Sequence, residues 1–169
     1  VTSAVLYDAI VQALDKVNGV LASKPKDAQA RFLKGLILTE QGKAAEAIKT
    51  FSALTEDYPE LPEPYNNLAV LYASQGQYDK AKLALEMAIR THPSYATAHE
   101  NLGDIYARMA SQAYDKALQI DSSNASAQSK LAMIRDLMSV AARPTALASR
   151  STSGKVQATP ASVAKAEVT

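Results

Sequence analysis

The sequence predicts an all-α fold, a stack of antiparallel helix hairpins with a disordered C-terminal tail, and three observations carry that prediction. The first is an internal period: Pro25, Pro59 and Pro93 are spaced by 34 residues, as are Gly42 and Gly76, Ala47 and Ala81, and Gly35 and Ala69. Several residue types recurring together at a period in the range of roughly 20–50 residues are the signature of a repeat array. The second is that 47% of the 169 residues are apolar, enough for one core of ordinary size, and they recur at helical spacing, as in Val5, Leu6, Ile10, Leu14, Val17 and Leu21. The third is a change of composition near Pro144, beyond which Ala, Ser, Thr, Val and Lys dominate and large apolar residues are few. Such a segment cannot bury enough surface to offset its ordering entropy.

Composition also excludes much chemistry. With no Cys and 2 His, disulfide frameworks, Cys-ligated metals and Cys–His nucleophiles are out of reach, so no metal and no cofactor are expected. No window approaches the roughly 18 consecutive apolar residues of a membrane span. The net charge of +1 averages two unlike parts. Arg143, Arg150, Lys155 and Lys165 against Glu167 give the tail +3, leaving the body at −2. Four spread cations do not make a nucleic-acid surface. The chain begins at Val1, and Asp8, Gln12, Asp15 and Lys16 interrupt its first apolar stretch, which reads as a processed or trimmed product rather than a signal core.

Two blocks carry the period in full. Residues 28–61 supply Gly35, Gly42, Ala47, Phe51, Leu54 and Pro59, and residues 62–95 supply Leu68, Ala69, Tyr72, Gly76, Ala81, Leu85, Ala88 and Pro93. On these residues the chain resembles the tetratricopeptide-repeat family, whose unit is a helix–turn–helix with small residues at positions 8, 20 and 27, a turn glycine at 15 and proline at 32. The resemblance implies a right-handed superhelical solenoid over residues 1–142, with first helices lining a concave groove that holds an extended or helical partner segment.

Taken in order, residues 1–27 are an incomplete repeat whose helix over 3–22 shields the N-terminal side of the array. Repeat one, 28–61, departs from the pattern at Arg31 and Lys34, positions 4 and 7, where stems are expected to pack while the charges reach water. In repeats one and two the glycines at 42 and 76 end the first helix and a proline follows the second. Repeat three, 96–124, has Leu102, Gly103 and Tyr106 in phase but lacks five residues between Arg108 and Met109, the whole turn. A shortened hairpin is the expected resolution. The alternative is one fused helix exposing Ile105, Met109 and Leu118 and favouring domain swapping. Residues 125–142 form a capping helix with Gln128, Lys130, Arg135 and Asp136 outward, and 143–169 form a disordered basic tail.

No constellation points to catalysis. His92 and His99 sit at structural positions, Glu100 and Asp104 read as a solvated face, and the six glycines are scattered. The groove remains. The resemblance places Phe32, Leu36, Asn66, Asn67, Val70, Glu100, Asn101, Asp104 and Arg108 on it, apolar at one end and acidic at the other. Asn67 and Asn101 either bond a peptide backbone or bond within the array. The family's carboxylate clamp is disfavoured, because Phe32 and Leu36 stand where it needs Lys and Asn. A non-enzymatic adaptor binding a protein or peptide segment follows, with a monomer favoured and a homo-oligomer possible. The alternative is a structural protein that self-assembles through repeat three and the C-terminal helix. The phrase Leu-Pro-Glu-Pro-Tyr-Asn-Asn-Leu-Ala, residues 61–69, also resembles small exported tetratricopeptide-repeat proteins of Gram-negative bacteria, implying a periplasmic rather than a cytoplasmic place.

Overall fold

The computed structural model describes residues 2–142, and among them are seven α-helices and no strand. They are α1 (Ser3–Ser23), α2 (Ala28–Glu40), α3 (Ala44–Asp57), α4 (Pro62–Ser74), α5 (Tyr78–Thr91), α6 (Ala96–Ile120) and α7 (Ala125–Ala142). Each helix packs on the next in sequence, α1 on α2 through to α6 on α7, the nearest-neighbour architecture of a solenoid. The tail expected over 143–169 lies outside the described residues.

Local chemistry sets the first two hairpins. Asp27 caps α2, its carboxylate accepting from the Ala30 N–H at 2.7 Å. Gly42 and Gly76 both stand at φ 73°, where a Cβ is costly. The N–H of Lys43 reaches the Leu38 carbonyl at 2.9 Å and that of Gly42 reaches Thr39 at 3.0 Å, and Gln77 and Gly76 repeat the pair onto Tyr72 and Ala73. This is the Schellman stop, which satisfies the last carbonyls of the first helix before the chain reverses. Pro62 begins α4 at a position where its missing N–H costs nothing.

The core runs through the stack along the small and large positions of the repeat. Ala47, Phe51 and Leu54 of α3 and Ala81, Leu85 and Ala88 of α5 are fully buried. Phe51 meets Phe32 edge to face at 5.6 Å, and its ring lies where a Cβ on Gly35 would be, 2.5 Å away. Glycine at position 8 is therefore what lets the bulky position 24 into the hairpin.

Repeat three departs from the expected shortened hairpin. Helix α6 runs unbroken from Ala96 to Ile120, so the two halves of the repeat are fused. The physical reason lies in the run Arg108-Met109-Ala110-Ser111-Gln112-Ala113, which holds several strong helix formers and no Gly, Asn or Pro to stop the helix. Helix α7, capped by Asn124 through the Ala127 N–H at 3.0 Å, packs on α6 with Ala127 and Leu131 buried. Its outer face carries Met133 and Leu137, both more than half exposed, beside the expected polar residues. At the other end, α1 buries Val17 against the stack while Val5, Leu6 and Tyr7 stay exposed.

Arg31 also departs from expectation. Its side chain is 11% exposed and its guanidinium is bonded to Asp57 at 2.6 Å, with Lys26 on the same carboxylate oxygen at 2.9 Å. The charge is spent within repeat one rather than handed to water.

Candidate functional site

The first helices α2, α4 and α6 supply the surface named in the sequence, and the structure divides it in two. Phe32 is 2% exposed and belongs to the core against Phe51. Asn66, Asn67 and Asn101 are buried as well. The Asn101 side-chain amide donates to the Asn66 side-chain oxygen at 2.8 Å, joining α6 to α4, and the Asn67 amide donates to the Glu63 carbonyl one turn earlier at 2.9 Å. Part of their hydrogen-bonding capacity is thus used between and within the first helices, as buried polar groups require. Phe32 is thereby corrected from groove to core, while Asn66, Asn67 and Asn101 stay at first-helix positions with bonds to neighbouring helix groups.

Leu36, Val70, Glu100 and Asp104 remain at the surface, wholly or in part. Leu33, one turn before Ile37 on α2, joins them at 41% exposure. Burial holds the Asp104 carboxyl above its ordinary value of 3.8, the Glu100 charge one turn away adds to that, and Arg108 works against both. An acid so placed gains from a cation brought to it. Arg108 itself turns to α5, its guanidinium 6.0 Å from the centre of the Tyr78 ring, within stacking range. It lines a cavity of about 310 Å³ with Tyr78, Gln112, Asp115, Arg135 and Met138.

A second cavity, of about 470 Å³, opens between α1, α2 and α3, with Leu21, Arg31, Lys34, Leu38 and Lys49 in its wall. The signal for it was present in the sequence. Arg31 and Lys34 occupy the positions that Tyr65 and Leu68 fill in repeat two, where both are buried, so the helices flanking α2 meet charged stems instead of packing side chains. His99, by contrast, bonds the Pro93 carbonyl at 2.8 Å, which fixes the entry to α6. Among the described residues no cluster of three His, Cys, Asp or Glu could hold a metal ion, and no helix is long and apolar enough to cross a membrane.

Two family models described as tetratricopeptide repeat match residues 38–105 and 9–62. The chain is 33% identical over 85 residues to the tetratricopeptide repeat domain-containing protein PYG7, chloroplastic, of Arabidopsis thaliana, covering 47% of this chain and 28% of that protein. It is 27% identical over 119 residues to the photosystem I assembly protein Ycf3 of Prochlorococcus marinus (strain MIT 9211), covering 69% of this chain and 68% of that one. Of the Arabidopsis relative it therefore spans less than a third. The crystal structure of MamA protein matches with a TM-score of 0.57 at 20% identity, over 78% of this chain and 74% of that one, a likeness of fold. The 34-residue unit, its two glycine turns and two family models that together span 9–105 agree, and the chain belongs to the tetratricopeptide-repeat family.

Proposed function

We propose that the chain is a non-enzymatic adaptor that holds a partner segment on the first-helix surface, apolar side chains against Leu33, Leu36 and Val70 and a basic residue at Glu100 and Asp104. The observation that carries this reading is the desolvated Asp104 beside Glu100, next in the array to an apolar row that α4 leaves open at Val70. Two full repeats give a small contact, below about 1,200 Å², and so an affinity on the order of micromolar. The assembly role in the name of the Prochlorococcus relative agrees with a protein that holds others. Leu33→Asp and Asp104→Asn, each with folding checked by circular dichroism, are expected to weaken capture of a crosslinked and identified partner about tenfold. Unchanged capture by both variants overturns the reading.

The periplasmic place follows in this reading from the 61–69 phrase alone. Fractionation of cells expressing the chain from its native locus tests it, and recovery with cytoplasmic markers rejects it.

A further inference from the structure

In repeats one and two each second helix lies between two first helices, α3 between α2 and α4, and α5 between α4 and α6. The second half of α6 has α7 on one side, and its own first helix runs straight on from it rather than folding back. Every position that this fusion deprives of a neighbour is open. At position 8, Gly35 lies under the Phe51 ring, whereas a Cβ on Gly103 meets nothing within 4 Å. At position 11, Leu38 is 2% exposed and Tyr106 is 49% exposed. At positions 20, 24 and 27 the side chains of α3 and α5 are fully buried, while Ala110, Tyr114 and Ala117 are half-buried and Ile120 is 80% exposed. One end of α6 thus lacks a second helix and the other lacks a first helix.

The geometry points to a second copy of this chain as the occupant, bound through α6 laid antiparallel on α6. In repeat one Gly35 faces Phe51, which pairs position 8 with position 24. Carried to repeat three, Gly103 of one copy takes Tyr114 of the other, and the two-fold operation places the second Gly103 on the first Tyr114, so one register satisfies both ends. Tyr106 then lies against Ala110, and Ala96 near Ile120. Gly103, Tyr106, Ala110, Ala113 and Ala117 fall within about 80° of the helix circumference, a continuous strip. Arg108, close to the two-fold axis in sequence, lies about 140° away from Gly103 round the helix and is held on Tyr78, so no like charges meet at the crossing. A helix of 25 residues is about 37 Å long, and two facing strips of about 80° and that length bury on the order of 600 Å² together, the size of a weak, transient association. The dimer completes repeat three in both copies and joins two groove surfaces into one bivalent adaptor. It goes beyond the proposed function, which a monomer could also perform.

The test uses the full chain. Sedimentation from about 1 μM to about 1 mM, the range of weak specific association, is expected to show the mass rising from 18.0 kDa to twice that value. Inserting Gln-Gly-Gln-Tyr-Asp, the turn of repeat two at residues 75–79, between Arg108 and Met109 restores the hairpin and is expected to give a monomer throughout. Gly103→Lys, which has room in the monomer and replaces glycine by a better helix former, is expected to abolish the dimer without lowering Tm. Because the chain has no cysteine, Gly103→Cys with Tyr114→Cys gives a clean crosslinking pair. Its two sites are about 16 Å apart on one helix, so a short bis-maleimide joins them between copies in the parent chain and within one copy after the insertion. A strict monomer over the whole range, or a dimer that survives both the insertion and Gly103→Lys, overturns the inference and leaves partner capture by Leu33 and Asp104 to stand or fall separately.

Discussion

Gly35 and Gly103 hold the same repeat position with opposite consequences. Alanine is favoured over glycine in a helix by about 1 kcal/mol, so Gly103→Ala, with open space around its Cβ, is expected to raise the stability of the monomer by up to that amount. At Gly35 the new Cβ would sit 2.5 Å from a Phe51 ring that is fully buried and flanked by Phe32. Overpacking costs about 1–3 kcal/mol, which outweighs the propensity gain, and Gly35→Ala is expected to lower Cm in urea. A measured increase would show that the ring moves freely. The Asn66–Asn101 bond is a second residue-scale test. A double-mutant cycle to alanine, read by urea unfolding, is expected to give a coupling of about 1 kcal/mol. Zero coupling would contradict the structural role assigned to the pair. Their bond was not legible in the sequence, because positions 5 and 6 face the groove in the family pattern and only the approach of α6 to α4 brings Asn101 onto Asn66.

At the scale of the element, the helix stops explain both what the sequence made plain and what it hid. Gly42 and Gly76 were readable as turns because glycine alone takes φ 73° at little cost. Gly76→Ala is expected to cost about 1 kcal/mol, seen as a lower melting temperature with the helical content retained. The fused α6 was half legible. Counting residues exposed the missing turn, but a five-residue deletion is compatible with a short hairpin or a continuous helix. The deciding signal was the absence of any residue suited to a left-handed conformation between Arg108 and Ala113. The array boundaries and turns follow from local chemistry, whereas the arrangement of α6 and α7 depends on which faces find a partner. Arg31 shows the same limit, since its ion pair with Asp57 spans 26 residues of sequence.

At the scale of the whole molecule, charge placement links stability and binding to pH in opposite senses. Asp57, with Lys26 and Arg31 bonded to it, has its carboxyl held below 3.8. It contributes stability above that pH, and the contribution is lost as the pH falls through its lowered value. Asp104 is raised above 3.8, so its ionised form disfavours folding near neutrality and the fold gains as the pH falls through the raised value. A basic partner residue needs Asp104 ionised. Capture is therefore expected to weaken on acidification through that same window, and Asp104→Asn is expected to flatten the dependence as measured by fluorescence anisotropy of an identified partner peptide.

The central claim is that partners are held on the first-helix surface. Site-specific photo-crosslinking in cells tests it most directly, with the reactive group placed at Leu33, Val70 or Glu100 and, as a contrast, at Leu83 on α5, which is 61% exposed. One shared partner adduct is expected from the first three positions and none from Leu83. An adduct from Leu83 with none from Leu33, Val70 or Glu100 would contradict the claim.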